Sequence, residues 1–162
     1  MNTSLNVVRD LNPVLNKLAM KLEKDNSKLI KPVKADDVDC YRVAIRGTFD
    51  DRVFYDENDR LRGVGDAVVL EPGNECLWPY KTLVTCSSLD EAKSLRSYLN
   101  TTPIQYLLAI SAVSNDVTDK RNWRHIQMPD NLDHRFTDTE VYKMLGLIPK
   151  WQTIIKRTMG EV

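Results

Sequence analysis

The side chains in this chain that could do hydrolytic chemistry are scattered. A metal-dependent nuclease needs carboxylates gathered with a lysine, to hold Mg²⁺ and activate water. The nearest arrangement is Glu91-Ala92-Lys93, with Asp66 or Glu71 upstream. Glu91 also stands three residues after Ser88, where a capping-box acid closes a helix N-terminus. The acidic run Asp50-Asp51, Asp56-Glu57 and Asp59 lacks the glycine and terminal glutamate of an EF-hand loop, and reads as a solvated hairpin turn. His125 and His134 are nine residues apart with no cysteine nearby, and a nucleophile-base pair would need a Ser or Cys partner that the sequence does not locate. The expectation is a non-enzymatic chain with no cofactor, no metal site and no catalytic residue. A small nuclease is the rival chemistry.

Binding chemistry is better represented. Lys120, Arg121, Arg124, His125, Gln127 and Arg135 fall within one basic stretch around Trp123. From Trp123 to Met128 the residues alternate, Trp123, His125 and Gln127 against Arg124, Ile126 and Met128, which is a strand pattern. Arginine and glutamine make paired hydrogen bonds to guanine and adenine edges, so Arg124 and Gln127 are the candidates to read bases. They lie on opposite faces of a regular strand, so only one would do so. Lys120 and Arg121 suit phosphates. The structural alternative is an exposed loop and strand with Trp123 in the core.

Composition narrows the class. The chain has 162 residues, one domain's worth, with 42% hydrophobic and 28% charged residues, values of a globular and not a disordered chain. No apolar run nears the roughly 18 residues that span a bilayer, and the N-terminus carries no signal pattern. A cytoplasmic location and no membrane partner are expected. The cysteines, Cys40, Cys76 and Cys86, are widely spaced and read as free thiols. Net charge is zero, which argues against a non-specific polyanion binder. Its distribution is uneven: residues 35–75 hold eleven acids against five arginines, whereas residues 120–157 hold eight Lys or Arg against four acids.

These residues need elements to hold them. Asn12 and Pro13 open a helix over 13–24 with an apolar stripe from Val14 to Leu22. Residues 25–39 read as a linker. From Cys40 the period becomes two: Tyr41, Val43 and Ile45 alternate with Arg42, Ala44 and Arg46. Residues 53–55 give a second strand, with a hairpin closed by the acidic turn 56–60; residues 67–70 and 82–86 give two more. Helical periodicity then takes over near 89–100, 103–114, 137–145 and 150–158, with capping boxes at Ser88-Leu89-Asp90-Glu91, Thr102-Pro103-Ile104-Gln105 and Thr137-Asp138-Thr139-Glu140. The order predicts an α+β fold. It has a mixed or antiparallel sheet from about 40–87 and 123–128, C-terminal helices and an N-terminal helix. Residues 1–39 would be helix and linker, and 40–162 the main domain.

Residues 128–147 carry a resemblance. A strand end at Met128-Pro129-Asp130 leads through a polar loop to Phe136, Thr137-Asp138 and Glu140, then Tyr142-Lys143 and Gly146-Leu147. Upstream come Leu89-Asp90-Glu91-Ala92 and the run from Tyr98 to Leu108. Over about residues 80–159 this order resembles the C-terminal target-recognition region of adenine-specific DNA methyltransferases of restriction-modification systems, where tryptophan is commoner at the Phe136 position. That region reads DNA and does no chemistry. The family's glycine-rich S-adenosylmethionine loop and its Asn/Asp-Pro-Pro-aromatic loop are both missing from this sequence. The resemblance implies a stand-alone DNA-recognition-like module that binds duplex DNA or docks on a modification or restriction enzyme. The alternative is a protein-binding anti-restriction factor whose acidic 36–75 half imitates phosphate spacing.

Overall fold

The computed structural model describes residues 28–46, 54–55, 61–62, 66–111 and 116–160. The expected helix over 13–24 and the turn 56–60 lie outside them. The chain order is β1 (Tyr41–Arg46), β2 (Phe54–Tyr55), β3 (Leu61–Arg62), β4 (Ala67–Leu70), β5 (Tyr80–Cys86), α1 (Leu89–Leu99), α2 (Thr102–Ser111), a 3-10 turn (Lys120–Trp123), α3 (Asp138–Met144) and α4 (Pro149–Thr158). The fold is α+β.

β1 is the centre of an antiparallel sheet ordered β4-β1-β5, with Ala44 opposite Val68 on one side and Thr82 on the other. A β-bulge between Val43 and Ala44 interrupts its pairing with β5. β2 and β3 form a separate antiparallel pair, with Phe54 opposite Arg62. The alternation in β1 is that of a strand, but it does not divide a buried face from a wet one. Arg42 and Ala44 are as buried as Val43 and Ile45. A central strand covered on both faces loses its polar side, and Arg42 is tolerated there only because its guanidinium is fully paired.

α1 packs on all three strands of the larger sheet, and α2 packs on α1, the 3-10 turn, α3 and α4. The main core joins Val43, Ile45 and Leu83 of the sheet to Leu95, Leu99, Leu107 and Leu108 of the helices, with Trp123, Ile126 and Phe136 closing it. A smaller cluster of Tyr106, Ala109, Tyr142 and Ile155 joins α2 to α3 and α4. Ile30, in the segment expected as linker, is 2% exposed and belongs to the main core.

The caps follow the sequence with two changes. Ser88 Oγ accepts from Glu91 N at 3.1 Å and starts α1, but the Glu91 carboxylate takes its proton donor from Ser87 Oγ. Thr102 is not the cap of α2 and is its first residue. Its N–H goes to the Asp138 carboxylate at 2.9 Å, and the Gln105 amide reaches the Leu99 carbonyl. Asp138 therefore ties the start of α2 to the start of α3. Thr137 caps α3, its Oγ1 accepting from Glu140 N. α3 ends in a Schellman turn: Gly146 at φ +67° donates to Lys143 O, and Leu147 to Tyr142 O.

The strand expected at 123–128 does not form. Asp119 accepts from Arg121 N at 2.9 Å and opens a 3-10 turn, and Ile126 N then bonds Trp123 O. Trp123 and Ile126 are both buried, a spacing of three and not two. The side-chain cap decided the local geometry over the apparent alternation. Only Gln127 keeps a strand-like contact, a single antiparallel bridge to Leu29.

Candidate nucleic-acid interface

The 3-10 turn puts Lys120 and Arg121 at the surface. Arg121 is forked onto Asp119, with Nη2 to Oδ2 at 2.7 Å. Hydrogen bonds from the Arg121 side chain and N–H hold the Asp119 carboxyl down at about 2, and Arg121 is raised in turn. Arg121 is exposed and Asp119 largely covered, so the arginine stands at the surface with its geometry fixed by the carboxylate.

Arg124 is used by the fold. Its Nη1 donates to the carbonyls of Ser111 and Arg121, stitching the turn to the end of α2, and desolvation lowers its pKa. His125 is only 7% exposed, and its Nδ1 lies 2.7 Å from Ser111 Oγ, itself fully buried. Burial, with Arg124 adding repulsion, pushes His125 down to about 4, so the ring is neutral at pH 7. This serine-histidine pair is sealed from solvent and is a packed polar contact; His125 is not placed to meet DNA. Gln127 is half-buried, and its carbonyl accepts from the buried Tyr98 hydroxyl at 2.7 Å.

Arg135 stands apart. It lines a groove between α1 and the loop 132–138, to which none of residues 120–127 contributes. Lys93 and Arg96 of α1 share that groove with Asp90, Asp133 and Asp138, so its charge is mixed. The loop is fixed by Ser94 Oγ donating to His134 O and by Phe136 N donating to Ser97 Oγ. His134 sits between two carboxylates, Nδ1 to Asp133 at 2.8 Å and Nε2 to Glu140 at 2.7 Å, with its ring 4.3 Å from that of Phe136. Those two hydrogen bonds, Asp133 first, raise its pKa.

The sequence missed two cations. Met128 N bonds Lys28 O, and Ile30 N bonds Ile126 O. These bonds lay the exposed Lys28 and Lys31 beside residues 124–128, although they are about a hundred positions away in the chain. No local signal marks such a pairing. The acidic half is also less free than its composition implied: Asp36 is matched by Arg42 at 2.7 Å, and Asp66 accepts from the Tyr80 hydroxyl. The residues that carry the resemblance build a corner of the fold: Phe136 is core, Thr137 caps, and Gly146 and Leu147 stop α3. Comparisons with protein-family models, curated proteins and solved structures gave no match.

Proposed function

We propose that this chain is a non-catalytic DNA-recognition-like module, related to the target-recognition region of adenine-specific DNA methyltransferases, and that it binds duplex DNA. The observation that carries this reading is the gathering of cations. The backbone pairing of 28–30 with 126–128 brings the segment that carries the exposed Lys28 and Lys31 against the segment that follows the exposed Lys120 and Arg121. These four side chains suit phosphates, and Gln127 is the remaining candidate to read a base edge. His125 and Arg124 serve the turn that presents them.

The test is a fluorescence-anisotropy titration of a labelled duplex across salt concentration. Four phosphate contacts predict a slope of log K against log salt of about −3.6, which is roughly a hundredfold loss from about 50 to about 200 mM salt. Replacing Lys120 and Arg121 together by alanine should flatten that slope by about 1.8 and weaken all sequences alike. Gln127→Ala should relax preference at one base pair, by about 1–3 kcal/mol. Absence of duplex binding at low salt, or a slope that the double variant leaves unchanged, rejects the reading.

A further inference from the structure

Four large hydrophobic side chains are exposed among the described residues, and they fall into two pairs: Leu77 (68%) with Trp78 (75%), and Met144 (45%) with Ile148 (56%). Scattered single apolar residues at a surface are ordinary, but adjacent ones that include a tryptophan are the material of contact hot spots.

The first pair sits on the β4–β5 connection, which is held in shape before any partner arrives. Arg42 is fully buried and is the hub. Its Nη1 meets both Asp36 oxygens, and its Nη2 donates to the carbonyls of Glu71 and Asn74. Gly73 N bonds Val38 O, Cys76 N reaches the Asp36 carboxylate, and Tyr80 N bonds Leu77 O. A loop fixed in this way presents its tip with little ordering cost on binding. Its rim is acidic. With Asp36 matched by Arg42, residues 34–39 and 71–76 hold the exposed Asp37, Asp39, Glu71 and Glu75 against one exposed lysine, Lys34.

The second pair sits at the corner between α3 and α4 and has the opposite sign. Lys143 and Lys150 flank it, and Lys156 and Arg157 follow on α4, all exposed. The nearby Glu140 is held by His134. The two patches hang from different parts of the fold, one from β4 and β5 and the other from helices that pack on α2.

We propose that the Leu77 and Trp78 loop of one chain docks on the Met144 and Ile148 corner of a second copy. Apolar pair meets apolar pair, and the acidic rim meets the lysines. The two surfaces differ, so each contact is head-to-tail, and successive contacts close into a ring of two or more copies or run on as an open chain. Two small patches make a weak, concentration-dependent association.

Sedimentation velocity of the full chain over a concentration series tests this. The wild type should assemble as concentration rises and dissociate as salt is added. A Leu77→Ala/Trp78→Ala variant and a Met144→Ala/Ile148→Ala variant should each stay monomeric, with wild-type circular dichroism, because all four side chains are exposed. Mixed together they should form a one-to-one dimer and nothing larger, since each retains the patch that the other lacks. A wild type that is monomeric throughout, an assembly indifferent to salt, self-association by either variant alone, or a mixture that stays monomeric overturns the proposal.

Discussion

Replacing Arg42 by methionine should be among the most damaging single changes in the sheet, although no apolar contact is lost. The side chain is fully buried and supplies donors to Asp36, to Cys40 O and to the carbonyls of Glu71 and Asn74. Removing one partner of a buried ion pair costs about 3–5 kcal/mol, chiefly because the other charge is stranded. The Asp36 side chain is 26% exposed and keeps the Thr82 hydroxyl at 2.6 Å, so water recovers part of its solvation and the lower end, about 3 kcal/mol, is expected. With an m-value of roughly 2 kcal/mol per M, the urea midpoint should fall by about 1.5 M. Desolvation opposes ionisation of Asp36, but hydrogen bonds from Thr82, Arg42 and Cys76 N outweigh it and leave its pKa below the ordinary 3.8. That stability is present above the unfolded value and is lost as pH falls through the folded one. Arg42→Met should therefore also flatten the acid limb of the melting curve. An Asp36→Asn/Arg42→Met double variant should lose less than the sum of the single losses. A midpoint within about 0.3 M of wild type, or strict additivity of the two changes, would refute the reasoning.

Other outcomes are expected from the caps, the core and the histidine. Thr137→Ala should cost about 1 kcal/mol in urea melts, because Glu140 N loses its acceptor. Leu107, 3% exposed within the main core, should cost about 2–5 kcal/mol when cut to alanine, and a neutral result would mean that α2 is turned differently. His134 has a raised pKa from Asp133 and Glu140. Its stabilisation is thus complete below its ordinary value of 6.5 and is lost as pH rises through the higher folded value. Thermal melts between about pH 5 and about pH 9 should show that loss in wild type and not in His134→Gln, and an NMR titration midpoint at or below the ordinary value would contradict the geometry.

Much of the fold was written locally. Tyr41 to Arg46 alternates because a strand does, and the change to helical spacing at Ser88 coincides with a hydroxyl that caps. Thr137 with Glu140, and Gly146 with Leu147, bracket α3 by hydrogen bonds spanning three to five residues. Such signals survive in sequence because both partners are close in the chain. The candidate interface was less legible. The alternation from Trp123 to Met128 was matched by a three-residue spacing of core residues, and Asp119, just outside that stretch, selected the turn. Arg42 reads only as one position of an alternating strand, and its burial follows from Asp36, Glu71 and Asn74 folding around it. His125 reads as surface until Ser111 meets it. The pairing of Lys28 with Met128, and of Thr102 with Asp138, joins segments whose sequences carry no mark of each other. Charge and type are properties of a residue, but burial and partnership are properties of the packed chain, because desolvation depends on everything that closes around the group. The sequence by itself determined most of the elements, the Ser88 and Thr137 caps and which residues carry charge; the tertiary structure decided the turn at 120–123 and which of the cations remain at the surface.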